Sequence, residues 1–323
     1  MDLLDIITNI PNRTRIVKAY SDAGELLGLT GVLLTPQMFM KHCYGHGNHI
    51  GTNNTFFFSK NANKSEVLLA IFRHLTEIRP VGHYIGFIED DIADDFRNAL
   101  ERVPHVVAEK VMETGFISTA DPQVESRLLK EHEHLSRQIN RFRNKGGTVH
   151  IQNGFVDNEL ADDFVACCLD SYRKNQHPGS DIDVDLYGEH VRKFINTFPS
   201  AVYIYAKLND KVVGVQIFIK HENYLELTEG GFLSDTYHAY ENIIIASVRY
   251  AAELGLDRVS YGLILNQTKD RLMDQNSRKP VFMVMFFRNE VDPASLNMYK
   301  YGAHQRFPML RWKDRNEFSK LAL

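Results

Sequence analysis

The sequence has few of the features that mark secreted and membrane proteins. Its three cysteines are Cys43, Cys167 and Cys168, and the last two are neighbours on a predicted helix, badly placed to bridge to each other. No apolar run approaches the ~20 residues that a membrane span needs, and the first residues lack a basic segment followed by an apolar core. We therefore expect a cytoplasmic protein with reduced thiols and no membrane span.

The chain also lacks the excess of positive charge that is typical of nucleic-acid binders. Its formal net charge is −4, and 44% hydrophobic with 24% charged residues is typical of an ordered globular protein. The charge is nevertheless uneven, since residues 278–323 carry nine Lys and Arg against four Asp and Glu. This basic segment leaves a phosphate-bearing partner such as tRNA open, and a solvated basic face is the alternative.

The chain contains the same order of predicted elements twice. In the first copy, RIVKAY, LLGLTGVLLT and MFMKHCYGH precede an apolar-periodic helix, SEVLLAIFRHLTEI, and a β-rich run, HYIGFI. In the second, AVYIYAKL, VVGVQIFIK and YLELTEGGF precede YENIIIASVRYAAELG and RVSYGLIL. The second copy alone has a further strand and two helices in front of it. Because neither copy completes a layered structure, we predict an α+β fold of two mixed βα halves in tandem that share a central groove.

A long polar segment between the copies predicts a connecting helix. It runs DPQVESRLLKEHEHLSRQINRFRNKGG and ends at Gly146 and Gly147, with basic residues toward its carboxyl end, where the helix dipole favours them. The predicted organisation is an abbreviated half over 1–118, a connecting helix over 119–147, and a complete half over 148–323 that includes the basic segment.

The order strand, two helices, antiparallel hairpin, strand, helix and strand resembles the GNAT superfamily of acyltransferases. Its tandem form, with a helix such as HLSRQINRFRNKGG, resembles the FemAB-like Fem-type aminoacyltransferases. The similarity is best over residues 134–289, where NDKVVGVQIFIKHENYLELTEGG, AAELGLDRVSYG and TKDRLMDQNSRKPVFMVMF match the pattern. The resemblance implies transfer of an activated acyl or aminoacyl group to an amine of a small molecule or peptide, by direct attack and without a covalent enzyme intermediate.

The sequence departs from the GNAT pattern at the coenzyme A signature. Acetyl-CoA-dependent members have a glycine-rich turn before the central helix, whose amides hold the pyrophosphate. Neither SKNANKSEV nor SDTYHAYEN contains it. The Fem-type enzymes also lack it and use aminoacyl-tRNA. The donor therefore stays open among acyl-CoA, acyl carrier protein and aminoacyl-tRNA, and no tightly bound cofactor is expected.

Two residues of the second half are candidates for proton transfer. In YLELTEGGF, strict alternation places Glu226 with Tyr224 and Thr228 on one face, between leucines that favour a raised pKa and the role of base. Tyr261, near the end of RVSYGLIL, lies where GNAT-like enzymes often have a tyrosine acid. The alternatives are a strand with one solvated face and a buried core tyrosine.

Several further residues are candidates for substrate binding. A lysine commonly follows the equivalent strand in FemAB-like proteins, and here Lys269 and Arg271 are predicted to anchor an anionic group. The paired glycines of the preceding strand are expected to present amides to an oxyanion. The predicted binding set is Asn266, Thr268, Lys269, Arg271, Gly230, Gly231, Tyr44 and His46.

The segment HCYGHGNH has histidines and a cysteine at spacings that a metal could use. We predict no metal site there, because two glycines mark it as a loop and no carboxylate or second cysteine is near. Tyr44 and His46 are interpreted as substrate contacts instead. A GNAT-like module that binds a ligand or partner without catalysis is the alternative to the transferase, because fold does not settle function.

Overall fold

The computed structural model describes residues 14–33, 56–78, 81–87, 90–104, 106–175, 184–198, 200–234, 236–263, 267–287, 290 and 292–294. The chain divides into two compact units. One unit is continuous from Gly115 to Arg278, and the other combines Asp2–Thr114 with Lys279–Leu323. Within the described ranges, no helix is both long and apolar enough to cross a bilayer.

The discontinuous unit has two groups of strands with two helices. Strands β1 (Thr14–Tyr20), β2 (Leu26–Leu33) and β3 (Phe56–Phe58) form an antiparallel sheet in that order. Buried side chains of α1 and α2 pack with Val17 of β1, and the rings of Phe72 and Phe96 meet edge to face. Two further strands flank β11 in antiparallel pairing. The remaining bounds are α1 Lys64–Ile78, β4 Val81–Phe87, α2 Asp90–Glu101, β5 Val106–Ser118 and β11 Lys279–Phe287.

The continuous unit is a mixed sheet with helices on both faces. Its strands lie in the order β10-β9-β8-β7-β6, with the end of β5 beside β10. Pairing is antiparallel from β6 to β9 and parallel between β9 and β10. The bounds are α3 Val124–Glu131, α4 Glu133–Asn144, β6 Gly147–Asn153, α5 Asn158–Asn175, α6 Val184–Thr197, β7 Ala201–Leu208, β8 Lys211–Lys220, β9 Tyr224–Phe232, α7 Ala239–Glu253, β10 Arg258–Leu263 and α8 Gln267–Leu272, with a short 3-10 helix at Gln275–Ser277.

The two faces of this sheet are covered by different helices. Alternate residues of β8 and β9, such as Phe218 and Leu225, are buried with α3, α4 and α7 in one apolar cluster. Helix α5 packs on β8 and β9 from the other face, and α6 packs against α5. Because strand side chains alternate, each residue of β9 is committed to one helical layer or the other.

The described elements confirm a tandem mixed βα fold, but the unit boundaries differ from those expected. Strand β11, predicted to belong with the second half, pairs with β4 and β5 instead. The segment predicted as one connecting helix is two helices, α3 and α4, that separate at His132. They belong to the continuous unit because Leu128, Leu135 and Phe142 are buried in the cluster that also contains α7.

Candidate active site

Strands β9 and β10 run side by side for a short distance. Their described parallel register pairs Tyr224 with Arg258, Leu225 with Val259, and Glu226 with Ser260. Beyond that point the carbonyl oxygen of Tyr261 accepts a hydrogen bond from Lys269 Nζ at 2.8 Å. A side chain thus reaches the strand backbone at the carboxyl end of this pair, the edge at which open α/β sheets bind ligands.

A bulge in β9 changes which face its later residues occupy. Opposite β8, Ile217 pairs with Glu229 and Phe218 pairs with Leu227, so Thr228 is the extra residue. The Thr228 hydroxyl donates to the carbonyl oxygen of Ile217 at 2.9 Å. Because an inserted residue reverses the alternation, Glu229 lies on the face of α5 and α6, although strict alternation had grouped it with the leucines.

Glu229 is a carboxyl group of this strand whose acidity is altered by its surroundings. Its Oε1 accepts hydrogen bonds from the Tyr187 hydroxyl of α6 at 2.6 Å and from the amide of Gly230 at 3.1 Å. Burial raises its pKa to about 7, although both hydrogen bonds act in the opposite direction. The side chain stays partly exposed. A carboxyl group that titrates near neutral pH can both accept and return a proton.

Tyr187 fixes the position of this carboxyl group from the helical layer. Its ring stacks on that of Tyr172, with centroids 4.3 Å apart. Burial, followed by the neighbouring Glu229, raises the pKa of Tyr187 well above its usual value. Burial raises the pKa of the Cys168 thiol as well, and both Cys167 and Cys168 are buried free thiols. These thiols are poor nucleophiles, because the thiolate is the reactive form.

Glu226, the predicted base, is 1% exposed. Its Oε2 lies 2.8 Å from Nε2 of His221, in the turn between β8 and β9. The histidine side chain is 32% exposed, so Glu226 reaches solvent through its partner and not directly. The role of Glu226 as base stays a prediction, and its geometry fits the orientation of an imidazole.

Tyr261, the predicted acid, has a fully buried side chain at 1% exposure. Its hydroxyl donates to the carbonyl oxygen of Ile244 at 3.2 Å and lies within hydrogen-bonding distance of the Ser247 hydroxyl, both on α7. Burial raises its pKa above the usual tyrosine value. The hydroxyl therefore lies beneath α7, away from the Glu229 face, and its contacts fit the core-tyrosine alternative.

The replacement Tyr261→Phe distinguishes the two roles. If the hydroxyl is structural, we expect a loss of about 1 kcal/mol in unfolding free energy, the net worth of a typical hydrogen bond, with transfer rates within a few-fold. If it is the acid, the rate falls by about 10²-fold or more at unchanged stability. Chemical unfolding and initial rates on the same preparations separate these outcomes.

The structure does not bring Lys269 and Arg271 to one anion. Lys269 turns to the Tyr261 carbonyl oxygen, and burial lowers its pKa to about 8. Arg271 is exposed, two residues further on α8, and its charge contributes to lowering the pKa of His132 after the larger effects of burial and His134. Of the other predicted contacts, Thr268 lies on α8 with its side chain undescribed, and Asn266, Tyr44 and His46 lie outside the described residues.

The paired glycines have structural roles, and their predicted contact with an oxyanion stays a prediction. The Gly230 amide already donates to Glu229 Oε1. A side chain at Gly231 would overlap the carbonyl oxygen of Cys167 and Cα of Cys168. The absence of a side chain at Gly231 lets α5 approach β9 closely, and this approach brings α5 close to Glu229.

We expect Gly231→Ala to lower the free energy of unfolding by about 1–3 kcal/mol, the usual range for an overpacked site. The overlapping atoms belong to the helix backbone, so no rotamer change relieves them. Gly188→Ala in α6 is the matched control, because its added carbon meets the movable end of the Leu169 side chain at 3.3 Å. Equal unfolding midpoints for both variants would contradict the close-approach role.

The first turn of α7 carries a carboxylate where a diphosphate group would approach the helix. The amides of Ala239 and Asn242 donate to the carbonyl oxygens of Thr236 and His238. Glu241, 9% exposed, lies in the first turn, with its Oε2 3.7 Å from Nδ1 of His238. A carboxylate there competes with an added anion for the positive end of the helix dipole. The geometry agrees with the missing glycine signature of coenzyme A binding.

Metal ligands do not cluster in the part of the chain that the structure describes, where no group of three His, Cys, Asp or Glu side chains could hold an ion. The HCYGHGNH segment lies outside those residues. Sequence reasoning missed Glu229, because alternation without a bulge places it among the leucines. The adjacent glycines were a usable signal, since glycines in a strand often mark a bulge.

Comparison with known proteins finds solved structures of similar architecture. No protein-family model and no curated protein matches the sequence. Among solved structures, L-PGS from Bacillus licheniformis aligns with a TM-score of 0.59 at 11% identity, over 92% of this chain and 90% of that one. The C-terminal domain of an Agrobacterium fabrum protein assigned as a lysylphosphatidylglycerol synthetase aligns with a TM-score of 0.59 at 9% identity, over 97% and 93% of the two chains.

A third solved structure, FemX, aligns with a TM-score of 0.53 at 10% identity, over 93% of both chains. These likenesses extend through both copies of the repeated element order. The chain therefore has a FemAB-like tandem GNAT fold.

Proposed function

We propose that this chain is an N-acyltransferase or aminoacyltransferase, in which the amine of a small molecule or peptide attacks an activated carbonyl directly. The main support for this proposal is the raised pKa of Glu229, about 7, on the bulged strand of a GNAT sheet. The fold adds support, because the aligned structures include FemX and the C-terminal domain of a protein assigned as a lysylphosphatidylglycerol synthetase.

In the proposed step, Glu229 accepts one proton from the amine and later returns it to the leaving group. The amine nitrogen forms a bond to the carbonyl carbon, and the Glu229 carboxylate takes a proton from that nitrogen. The tetrahedral intermediate then expels the donor's leaving group, a thiolate or a ribose oxygen, which receives the proton from Glu229. The Lys269 ammonium, held at the end of β10, stabilises negative charge on the intermediate or leaving group.

Among the donor classes, we propose an aminoacyl ester of tRNA or an acyl carrier protein over acyl-CoA. The first turn of α7 holds Glu241, and two of its amides already have protein acceptors. Both features oppose a coenzyme A diphosphate at that position. A tRNA ester or a carrier-protein thioester can present its acyl group without placing a diphosphate there.

Thermal unfolding tests this proposal, since a ligand that binds the native state alone raises the melting temperature. The protein is heated with acetyl-CoA, longer acyl-CoAs, acylated carrier protein and charged tRNA, each beside its deacylated form. We expect the midpoint to rise with one donor class other than acyl-CoA. Equal midpoints with all donors would contradict the proposal.

A module that binds without catalysis is the second candidate. It is favoured by the enclosure of the Tyr261 hydroxyl beneath α7, which removes the predicted acid from the Glu229 face. The two candidates differ in product formation. A donor that raises the melting temperature but leaves every tested amine unmodified would favour the binding module.

A further inference from the structure

Four planar side chains lie in a row on β5, β10, β9 and the β8–β9 turn of the continuous unit. Cζ of Arg258 lies 5.2 Å from the Phe116 ring centre and 4.7 Å from that of Tyr224. The Tyr224 ring stacks on His221 at 4.2 Å and 8° between planes. Arg258 and Tyr224 are partners in the parallel register, so the backbone sets their approach.

The arginine in this stack is held in place without a polar partner. Within the described part of the chain, no ion pair or side-chain hydrogen bond involves its guanidinium group. Among the described residues, none of the Arg258 side-chain nitrogen atoms is both buried and without a hydrogen-bond partner. Because these nitrogens have no protein partner, their N–H groups reach solvent. The guanidinium carbon lies over both rings, so aromatic surface flanks the group. A planar guanidinium held this way matches an oxyanion with two parallel hydrogen bonds.

The nearby acidic groups have other partners or positions. Asp257 precedes Arg258, and its Oδ2 accepts a hydrogen bond from Asn223 Nδ2 at 3.1 Å. Glu226 is buried and contacts Nε2 of His221. Glu222, in the β8–β9 turn, is exposed. None of these three carboxylates therefore forms an ion pair with the Arg258 guanidinium.

The row ends at the His221 ring. The buried Glu226 carboxylate fixes its Nε2, and the side chain is 32% exposed. A further aromatic ring on its outer face would continue the stack, which is how nucleobases are held on aromatic side chains. An oxyanion site and a stacking surface thus lie in one row of side chains.

We propose that this row binds a nucleotide, with a phosphate group on the Arg258 fork and the base on the outer face of His221. The proposal does not depend on transfer activity, because it concerns binding at residues that take no part in the proposed reaction. The ligand class follows from its two recognised parts, an oxyanion and a planar ring.

Isothermal titration of the whole protein with ATP, AMP, adenosine and inorganic phosphate tests this site. We expect a nucleotide to bind more tightly than adenosine or phosphate alone. Arg258→Gln should weaken nucleotide binding about 10- to 100-fold, the range for a charge-assisted bidentate contact. Arg258→Lys should recover only part of this, since lysine keeps the charge but loses the fork.

Matched variants separate the two halves of the site. His221→Ala should weaken nucleotides about 5- to 100-fold, the worth of one stacked base, and leave phosphate unchanged. Arg137→Gln, at an exposed arginine on α4, should change neither. Equal affinity of Arg258→Gln and the unaltered protein, with matching melting temperatures, would overturn the proposal. Absence of nucleotide binding at millimolar concentration would overturn it as well, whatever the transfer assay gives.

Discussion

Glu229→Gln should lower the rate of acyl transfer by about 10²- to 10⁴-fold at pH 7.5, the usual contribution of a general base. A glutamine keeps the size and hydrogen bonding of a protonated glutamic acid but cannot accept the proton. The unaltered enzyme should gain rate as pH rises to about 7, because the ionised form of Glu229 is the active one. The variant should lose this rise. The measurement is kcat/KM between pH 5 and 9.

Glu226→Gln is the matched control, since it makes the same change three positions earlier on β9. We expect a loss below about tenfold, because this carboxylate is 1% exposed and contacts the His221 imidazole. A large loss in Glu226→Gln beside normal activity in Glu229→Gln would reverse the assignment and restore Glu226 as the base.

Stability gives a check on Glu229 that needs no substrate. The pKa of Glu229 in the folded protein is about 7, above the ordinary 4.5. Its favourable contribution to the free energy of unfolding is therefore complete below pH 4.5 and is lost as pH rises through about 7. Glu229→Gln has no such titration. The variant should therefore gain stability relative to the unaltered protein between pH 5 and 8. A constant difference over this range would contradict the raised pKa.

Lys269→Met should lower kcat/KM by about 10²- to 10³-fold at pH 7, the loss seen when one donor to a developing oxyanion is removed. Methionine fills a similar volume without the charge. Since burial lowers the lysine pKa to about 8, catalysis by the unaltered enzyme should also decline as pH rises through about 8. Lys269→Arg should restore little, because its fork differs in shape from the ammonium.

Arg271→Met is the control on the same helix. Its side chain is exposed, so we expect rates within a few-fold of the unaltered enzyme. Lys269 itself has a stability signature of the opposite sign to Glu229. Because the folded pKa of Lys269 is lowered, the stability that this residue contributes is complete above pH 10.5 and is lost as pH falls through about 8.

Equal losses of activity in Lys269→Met and Arg271→Met would contradict a specific role for Lys269.

The order of elements was predictable where periodicity was strong. The hairpin of β7 and β8 and the apolar helix α7 follow directly from alternating and 3.6-residue patterns. Pairing partners were not predictable in the same way. The apolar run of β11 indicates a buried strand, but nothing in it indicates that β4 and β5 would be its neighbours. The break at His132 between α3 and α4 likewise has no glycine or proline to mark it.

The site was predictable in region and not in detail. Strand β9, Tyr261 and Lys269 were identified as relevant, but the Thr228 bulge brings Glu229 onto the face of α5 and α6, which Glu226 already shares. Alternation has no means to register one inserted residue. The inward turn of the Tyr261 hydroxyl depends on acceptors of α7, which are distant in sequence. Propensity and pattern are local, and these contacts are not.

The most direct test of the account is product analysis by mass spectrometry. The protein is incubated with charged tRNA, acylated carrier protein or acyl-CoA, together with a library of small amines and peptides, beside Glu229→Gln as the control. We expect an amine to gain the mass of the acyl group with the unaltered protein, and far less of this product with the variant. Equal product from both proteins, or none with any donor, would contradict it.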